Sequence, residues 1–500
     1  MTKKRICMVS LFVLFLLTAC QDISPKTASE TALQPSDVDW ADRSLYAEGL
    51  IPSEKGALRK LDGATVYHLD LNINRNLSRV TGQQQVWYTN REDVPLHEIY
   101  FRLYPNVTGG SIEIASLQVE GQAVDPAYEL ADSAMRVPLP TPLSPGGHVE
   151  VELAYEIEVP TEMGGNYGLF GYFQNVLVLD TFYPAVAVYD GGWQVDLPPR
   201  TGDLTFYDAS LYLVRVSAPK KLTLVASGIE VERETEGSTQ VVTYAAGPAR
   251  DFYIAGSAKY VQLSETVGQT TVNSYVLKGR QEEGQMALRY AVQALESFGE
   301  RFGDYPYTEL DVLSTPMQAL GIEYPGAIGI SLRLYDPKAE LYGTLAIYYL
   351  ESVVAHEMGH QWFYNAVGND QVNEPWVDEA VVQYVTGLYH LDSNGASAAR
   401  QYRTSWQDRW DQVEAKEIPI GMPVDAYEGA EYGAIVYGRG PIFVTALAEE
   451  MGQKTFDAFL RDYYQTYKWD IGTADAFQGL AEEHCRCDLS SLFDEWVYGP

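Results

Sequence analysis

Cysteine is scarce, with four in 500 residues, so a disulfide framework does not build this fold. Cys7 and Cys20 lie among the first twenty residues, leaving Cys485 and Cys487 for the body of the chain. The string HCRC sets His484 beside them. A zinc knuckle needs a second ligand pair, and none follows, so a strained disulfide or two free thiols is expected. Basic residues are also few, 35 Lys and Arg against 68 Asp and Glu. A surface of that sign repels nucleic acid, which excludes it as a partner, and modestly draws cationic ligands such as peptide N-termini. Acidity also serves simply to keep a protein soluble. No apolar run is long enough to span a bilayer, and internal repeats and long low-complexity tracts are missing too.

What is present begins with an export signal. MTKKR supplies a basic stretch and ICMVSLFVLFLLTA an apolar one too short to cross a membrane. LTAC then resembles a bacterial lipobox, in which cleavage precedes the Cys and its thiol takes lipid. Residues 1–19 are therefore expected to be a lipoprotein signal peptide. Cys20 would be the lipidated residue, anchoring the protein on the outer, extracytoplasmic side of a membrane in the cell envelope. Residues 20–60, rich in Ser, Thr, Pro, Asp and Lys, read as a tether.

At 500 residues the chain exceeds one ordinary core, and two domains are expected. In VYHLDLNIN, Tyr67, Leu69, Leu71 and Ile73 alternate with His68, Asp70, Asn72 and Asn74. In HVEVELAYEIEVP the apolar set Val149, Val151, Leu153, Tyr155, Ile157 and Val159 alternates in the same way. Period two predicts half-buried antiparallel strands, so residues 61–262 are expected to form an all-β domain. Helical spacing follows: EEGQMALRYAVQALESFGERFG places Ala287, Tyr290, Ala291, Ala294, Leu295 and Phe298 on one face. LYGTLAIYYLESVVAHEMGHQWFYNAV reads as one long helix, with GPIFVTALAEEMG and TFDAFLRDYYQTY as further helices. Residues 263–500 are thus expected to be helix-rich with a few strands, giving an α+β multidomain chain.

Within the long helical stretch, VVAHEMGHQWFY sets His356 and His360 four apart. On a helix these share a face and can aim two imidazoles at one point, and neutral imidazole suits zinc. Glu357 lies round the helix from both and is a candidate general base. Two buried histidines held by hydrogen bonds would give the same string, so a third ligand decides. Phe363 and Ala366 occupy the places where a metzincin has Gly and His, which excludes that class. Instead Glu379, within NEPWVDEA, stands nineteen positions after His360. A carboxylate at the start of the next helix completes a His2Glu site with the fourth zinc position left to water, one zinc per chain. His68, His97, His148, His390 and His484 have no ligand spacing and read as surface or locally bonded residues.

Joined, these residues resemble the gluzincin zinc peptidases of the aminopeptidase N family. The likeness covers nearly all of the chain beyond the tether, with LHEIYFRLYPN, VLDTFYPAVAVYDGGW and GDLTFYDASLYLVRVSAP in the β half and HEMGHQWFYNAVGNDQVNEPWVDEAVVQY in the other. The resemblance implies a saddle-like N-terminal β domain followed by a thermolysin-like catalytic domain. It implies His356, His360 and Glu379 as zinc ligands and Glu357 as the base. QALGIEYPGAIGIS is similar to the family's exopeptidase strand motif, Gly-Ala-Met-Glu-Asn. Glu323 matches its Glu, which holds the substrate's free α-amine, while Leu320, Gly321 and Ile322 replace Gly-Ala-Met and Tyr324 replaces Asn. Gly321, Glu323 and Tyr324 are thereby the expected substrate-binding strand. YGAIVYGRGPIF resembles the segment whose Tyr stabilises the tetrahedral intermediate, which implies Tyr437, with Tyr432 as the second choice. DEWVYGP resembles the end of the family's catalytic domain, so a helical C-terminal covering domain is not expected, and the cleft would be open or covered by a second subunit.

The leading expectation is a zinc-dependent aminopeptidase that acts on peptides. Its nearest rival is an endopeptidase or specialised peptide hydrolase without strict N-terminal recognition. A third reading is a non-catalytic binding scaffold, though such members lose a ligand or the base, and His356, Glu357, His360 and Glu379 are all present here.

Overall fold

The alternating stretches become strands because one face can be buried without burying the other. In the computed structural model, which describes residues 32–164, 167–199 and 201–499, they assemble into three sheets. The largest has eight strands in the order Ile229–Glu236, Thr239–Ala249, Ser210–Pro219, Val66–Ile73, Arg79–Thr89, His148–Glu158, Ser111–Val119 and Gln122–Ala123. Only the Val66–Ile73 and Ser210–Pro219 pair is parallel; neighbours elsewhere run antiparallel. His148–Glu158 buries every second residue, as its pattern predicts. Val66–Ile73 departs at one place: His68, expected on the polar face, is buried, stacked 4.2 Å from Trp40. A four-stranded sheet containing Leu96–Arg102 and Ala134–Leu143 packs with the large sheet through one apolar cluster that includes Leu69, Leu71, Phe101 and Val137.

The third sheet holds Thr223–Ala226, Ile254–Ser257, Val176–Leu179 and Phe170–Phe173. Its Val178 and Ala255, with Tyr253 just before the Ile254–Ser257 strand, share a second core cluster with Leu313, Ile322, Tyr324 and Ala327 of the next sheet. That next sheet has five strands: Tyr260–Val267, Thr270–Leu277, Glu309–Thr315, Ala327–Ser331 and, at the edge, Gly321–Tyr324. The change of sheet falls between Ser257 and Tyr260, a little before the expected boundary at 262. The Gln281–Phe302 helix crosses over between Thr270–Leu277 and Glu309–Thr315, which run parallel. It buries Ala287, Ala291, Ala294, Leu295 and Phe298, joined by Leu288. Each such Leu or Phe contributes roughly 1.5–3 kcal/mol. Tyr290 is only half-buried.

Two expectations are corrected. The segment read as a tether to residue 60 is folded from Gln34, where one compact unit begins. Ser44–Glu48 and Ala57–Lys60 are short helices, and Tyr46, Leu50, Ile51 and Leu58 are buried. Its apolar residues are too widely spaced to show periodicity, yet enough to dock. The long helix expected across residues 341–367 is only Leu350–Gly359. A two-stranded hairpin, Glu340–Leu341 with Thr344–Leu345, uses the backbone before it. After it, the carbonyls of Tyr364, Asn365 and Ala366 accept hydrogen bonds at 2.9, 3.1 and 3.1 Å from the buried guanidinium of Arg250, so they are taken out of any helical ladder. The expected signal peptide and Cys20 lie outside the described residues. Among the described residues no helix is long and apolar enough to cross a membrane.

Candidate active site

Two helices bring the histidines and Glu379 together. Leu350–Gly359 carries His356 in its last turn and His360 at its C-cap. The next helical run, Trp376–Trp410, interrupted at Gly395, starts with Asp378 and Glu379 in its first turn, where the helix dipole favours carboxylates. Trp376 anchors that start, edge-on to Phe443 and Phe477. Gly359 permits the close crossing, since a Cβ there would meet Val382 Cγ1 at 2.9 Å.

The ligand atoms converge. His356 Nε2 lies 3.1 Å from Glu379 Oε2 and 3.2 Å from His360 Nε2, and His360 Nε2 lies 3.6 Å from Glu379 Oε2. A tetrahedral zinc with bonds of ~2.0–2.1 Å sets its ligands roughly 3.3 Å apart, and these three separations bracket that edge. His360 Nδ1 sits 3.1 Å from the carbonyl of Phe363. Donation there leaves Nε2 with a free lone pair. The donor set therefore fits zinc. Glu323, His360 and Asp378 also cluster closely enough to hold a cation, but they share the same His360 and offer one imidazole against two carboxylates, a poorer match to zinc.

Further side chains surround the triad. Tyr437 donates a 2.6 Å hydrogen bond to Glu379 Oε1. It sits in a π-helical turn, Ile435–Arg439, of the kind that redirects side chains at functional sites. Tyr432, the second choice, lies 5.7 Å from Tyr437 ring to ring, and its buried hydroxyl makes no hydrogen bond among the described residues. Glu357 is buried and lies against Gly321, where a methyl group would overlap its carboxylate. Glu323, two residues along the same strand face, is buried and accepts 2.7 Å from Gln371 Nε2, which also donates 2.9 Å to Asp378. Gln371 in turn accepts 2.7 Å from Thr205. Tyr324 is placed differently from its neighbours: its ring is buried, stacked 3.7 Å on Tyr253.

Charge is concentrated here. Burial and the neighbouring Glu323 push the Glu357 carboxyl well up. Burial raises Glu323 to about 8, with Glu379 and Asp378 adding to the rise and His360 opposing it. Burial disfavours the charged form of His360, yet Glu323 and Glu379 overcome it and push its pKa up. Burial would raise Glu379 too, but His360 and the bond from His356 hold it below the usual carboxylate range. Carboxylates this crowded call for a cation.

Several contributors escaped the sequence reading. Asp203 stands beside Glu379 and Glu323; its one signal was the Gly-Asp of GDLTFYDAS. Gln371 and Gln383 gave none. Gln383 Nε2 lies 3.4 Å from His356 Nδ1, and its carbonyl accepts from Tyr402 at 2.6 Å and Arg409 at 3.3 Å. At the C-terminus Cys485 and Cys487 form a disulfide, and His484 bonds Asp462 at 2.9 Å.

Comparison with known proteins matches residues 286–496 to the peptidase family M1 domain. The chain is 24% identical over 311 residues to aminopeptidase M1-A of Oryza sativa, covering 58% of this chain and 34% of that one. It is 22% identical over 409 residues to probable aminopeptidase 2 of Sulfurisphaera tokodaii, covering 77% and 48%. It thus spans about a third to a half of the length of these curated relatives. Among solved structures, an M1 zinc metallopeptidase from Deinococcus radiodurans superposes with a TM-score of 0.64 at 18% identity, over 87% of this chain and 93% of that one. A mutant of that protein bound to a Tyr-Ser-Ala substrate gives 0.64 at 19% identity, over 87% and 94%. The similarity to the peptidase family M1 domain thus falls on the half of the chain that carries the triad, and the solved M1 zinc metallopeptidase structures share its fold.

Proposed function

We propose that this protein is a zinc aminopeptidase that removes the first residue of peptides. The observation that carries the reading is the convergence of His356, His360 and Glu379 beside the buried Glu357, with Glu323 on the adjoining strand. Zinc held by those three side chains would supply a Lewis acid for the attacking water and the scissile carbonyl. Glu357 takes the proton from the water and hands it to the leaving amine. Tyr437 turns its hydroxyl from Glu379 to the developing oxyanion. Gly321–Tyr324, the edge strand of its sheet, pairs with the extended substrate, and Glu323 receives the free ammonium, which fixes cleavage at the first bond. The test compares free and N-acetylated forms of one peptide on zinc-loaded protein. Release of the first residue from the free form alone, abolished by a chelator and restored by zinc, is expected. Cutting of the blocked form would give the site to an endopeptidase instead.

The proposal extends to location. MTKKR, the short apolar stretch and LTAC support export and lipidation at Cys20, placing the enzyme on the outer side of a membrane. Labelled palmitate should enter the wild-type protein and not Cys20→Ser; equal labelling of both would end the anchor proposal.

A further inference from the structure

Two acidic side chains within reach of His360, Glu323 and Asp378, share a single amide. The nitrogen of Gln371 carries two hydrogens. One is donated to Glu323 Oε1 at 2.7 Å and the other to Asp378 Oδ2 at 2.9 Å. The amide oxygen accepts from Thr205 Oγ1 at 2.7 Å. Thr205 has one hydroxyl hydrogen, already given to Gln371, so the Tyr364 hydroxyl, 3.2 Å from it, is the donor in that pair. The chain of bonds therefore runs one way, from Tyr364 through Thr205 and Gln371 to the two carboxylates. All five side chains are buried, Gln371 to 1% exposure. Thr205 comes from the β half, just ahead of Ser210–Pro219. Tyr364 follows His360 by four residues, and its backbone carbonyl is held by Arg250. With both ends anchored, the amide cannot turn away without stranding a buried donor or acceptor.

An amide suits this place. Its two N–H groups bind two carboxylates at once, whereas a carboxylate there would add a third negative charge. By taking Oε1, Gln371 fixes the rotation of the Glu323 carboxylate and leaves Oε2 to an ammonium. The same nitrogen steadies Asp378, whose Oδ1 accepts from the backbone N–H of Glu379 at 2.7 Å. We propose that Gln371 is a positioning residue for recognition of the free N-terminus: it aims Glu323 at the substrate's ammonium, and Thr205 fixes Gln371 in turn. This rests on the aminopeptidase reading, in which Glu323 receives that ammonium.

The experiment measures, by calorimetry on the zinc-loaded protein, the Kd of leucine hydroxamate and of isocaproyl hydroxamate, which lacks the amine. The two share a metal-binding head and a side chain, so the ratio of their Kd values reads the ammonium contact. Wild type should favour the amine by about 10–100-fold, the effect of a hydrogen bond between charged groups. Gln371→Met, close in volume and without donors, should bring that ratio towards one while the Kd of isocaproyl hydroxamate stays put. Thr205→Val should lower the ratio less and add nothing in the double variant, and Thr205→Ser, which keeps the hydroxyl, should retain it. Equal weakening of both hydroxamates, as a merely structural residue would give, or an unchanged ratio in Gln371→Met, overturns the proposal and leaves the aminopeptidase standing. A ratio near one already in wild type overturns both. Should Gln371→Met not fold, Thr205→Val decides: a lowered ratio supports the proposal, and an unchanged one sinks it.

Discussion

Glu379 and Asp251 are both buried carboxylates, yet they live under opposite conditions. Glu379 meets two imidazole nitrogens and the Tyr437 hydroxyl, and its pKa is held down. Asp251 keeps an oxygen with no donor among the described residues, and burial pushes its pKa up to about 7. The histidines divide likewise. His360 faces carboxylates on one nitrogen and a backbone carbonyl on the other. His68 is sealed beneath Trp40, and neither ring nitrogen has a partner among the described residues. A buried polar group surrounded by partners is held in place at little cost, while one without them costs stability.

The largest effect that sharpens this contrast is expected from Glu357→Gln. Losing the proton acceptor should cut kcat by about 10²–10⁴ while zinc content, read by atomic absorption, stays near one per chain. Loss of zinc along with activity would mean that Glu357 helps hold the metal instead. Tyr437→Phe removes one donor from the satisfied carboxylate and from the oxyanion. A fall of about 10²–10³ in kcat with little change in KM is expected; a change in KM alone would confine the phenol to substrate binding.

His68 tests the unpartnered side through stability. Burial, helped by the nearby Arg43, pushes its pKa down to about 4. Between that value and the ordinary 6.5 the unfolded chain takes up a proton that the folded one refuses. Stability is therefore full above about pH 6.5 and falls as pH drops towards 4, by about 3 kcal/mol. Urea titrations across that range should show the loss in wild type and a flatter acid limb in His68→Phe; identical limbs would count against a sealed ring. The smallest effect belongs to Gln383→Ala, which strips the neighbour of His356 Nδ1. Competition with a chelator should show zinc affinity weakened by about 10–100-fold, and unchanged affinity would make Gln383 a packing residue.

Much of the site was legible because it is local. His356 and His360 are one helical turn apart, and Glu379 opens the next helix, so spacing alone predicts their convergence. Alternation marked the strands for the same reason. Legibility stopped where partners come from distant segments. Nothing in the run through residue 367 signals that Arg250 claims the carbonyls of Tyr364, Asn365 and Ala366 beyond the helix end at Gly359. Nothing near His68 signals that Trp40 covers it, and Thr205, Glu323 and Gln371 are scattered across three stretches of chain.

The sequence by itself determined that His356, His360 and Glu379 meet and that the strands alternate, because short-period geometry fixes which neighbours share a face. Only the tertiary structure decided which buried groups are satisfied. It put Tyr437 against Glu379 and Gln371 between Glu323 and Asp378, and left one oxygen of the buried Asp251 without a donor among the described residues. The physical reason is that the cost of a buried charge depends on everything within a few ångströms, and those neighbours are chosen by packing rather than by position along the chain.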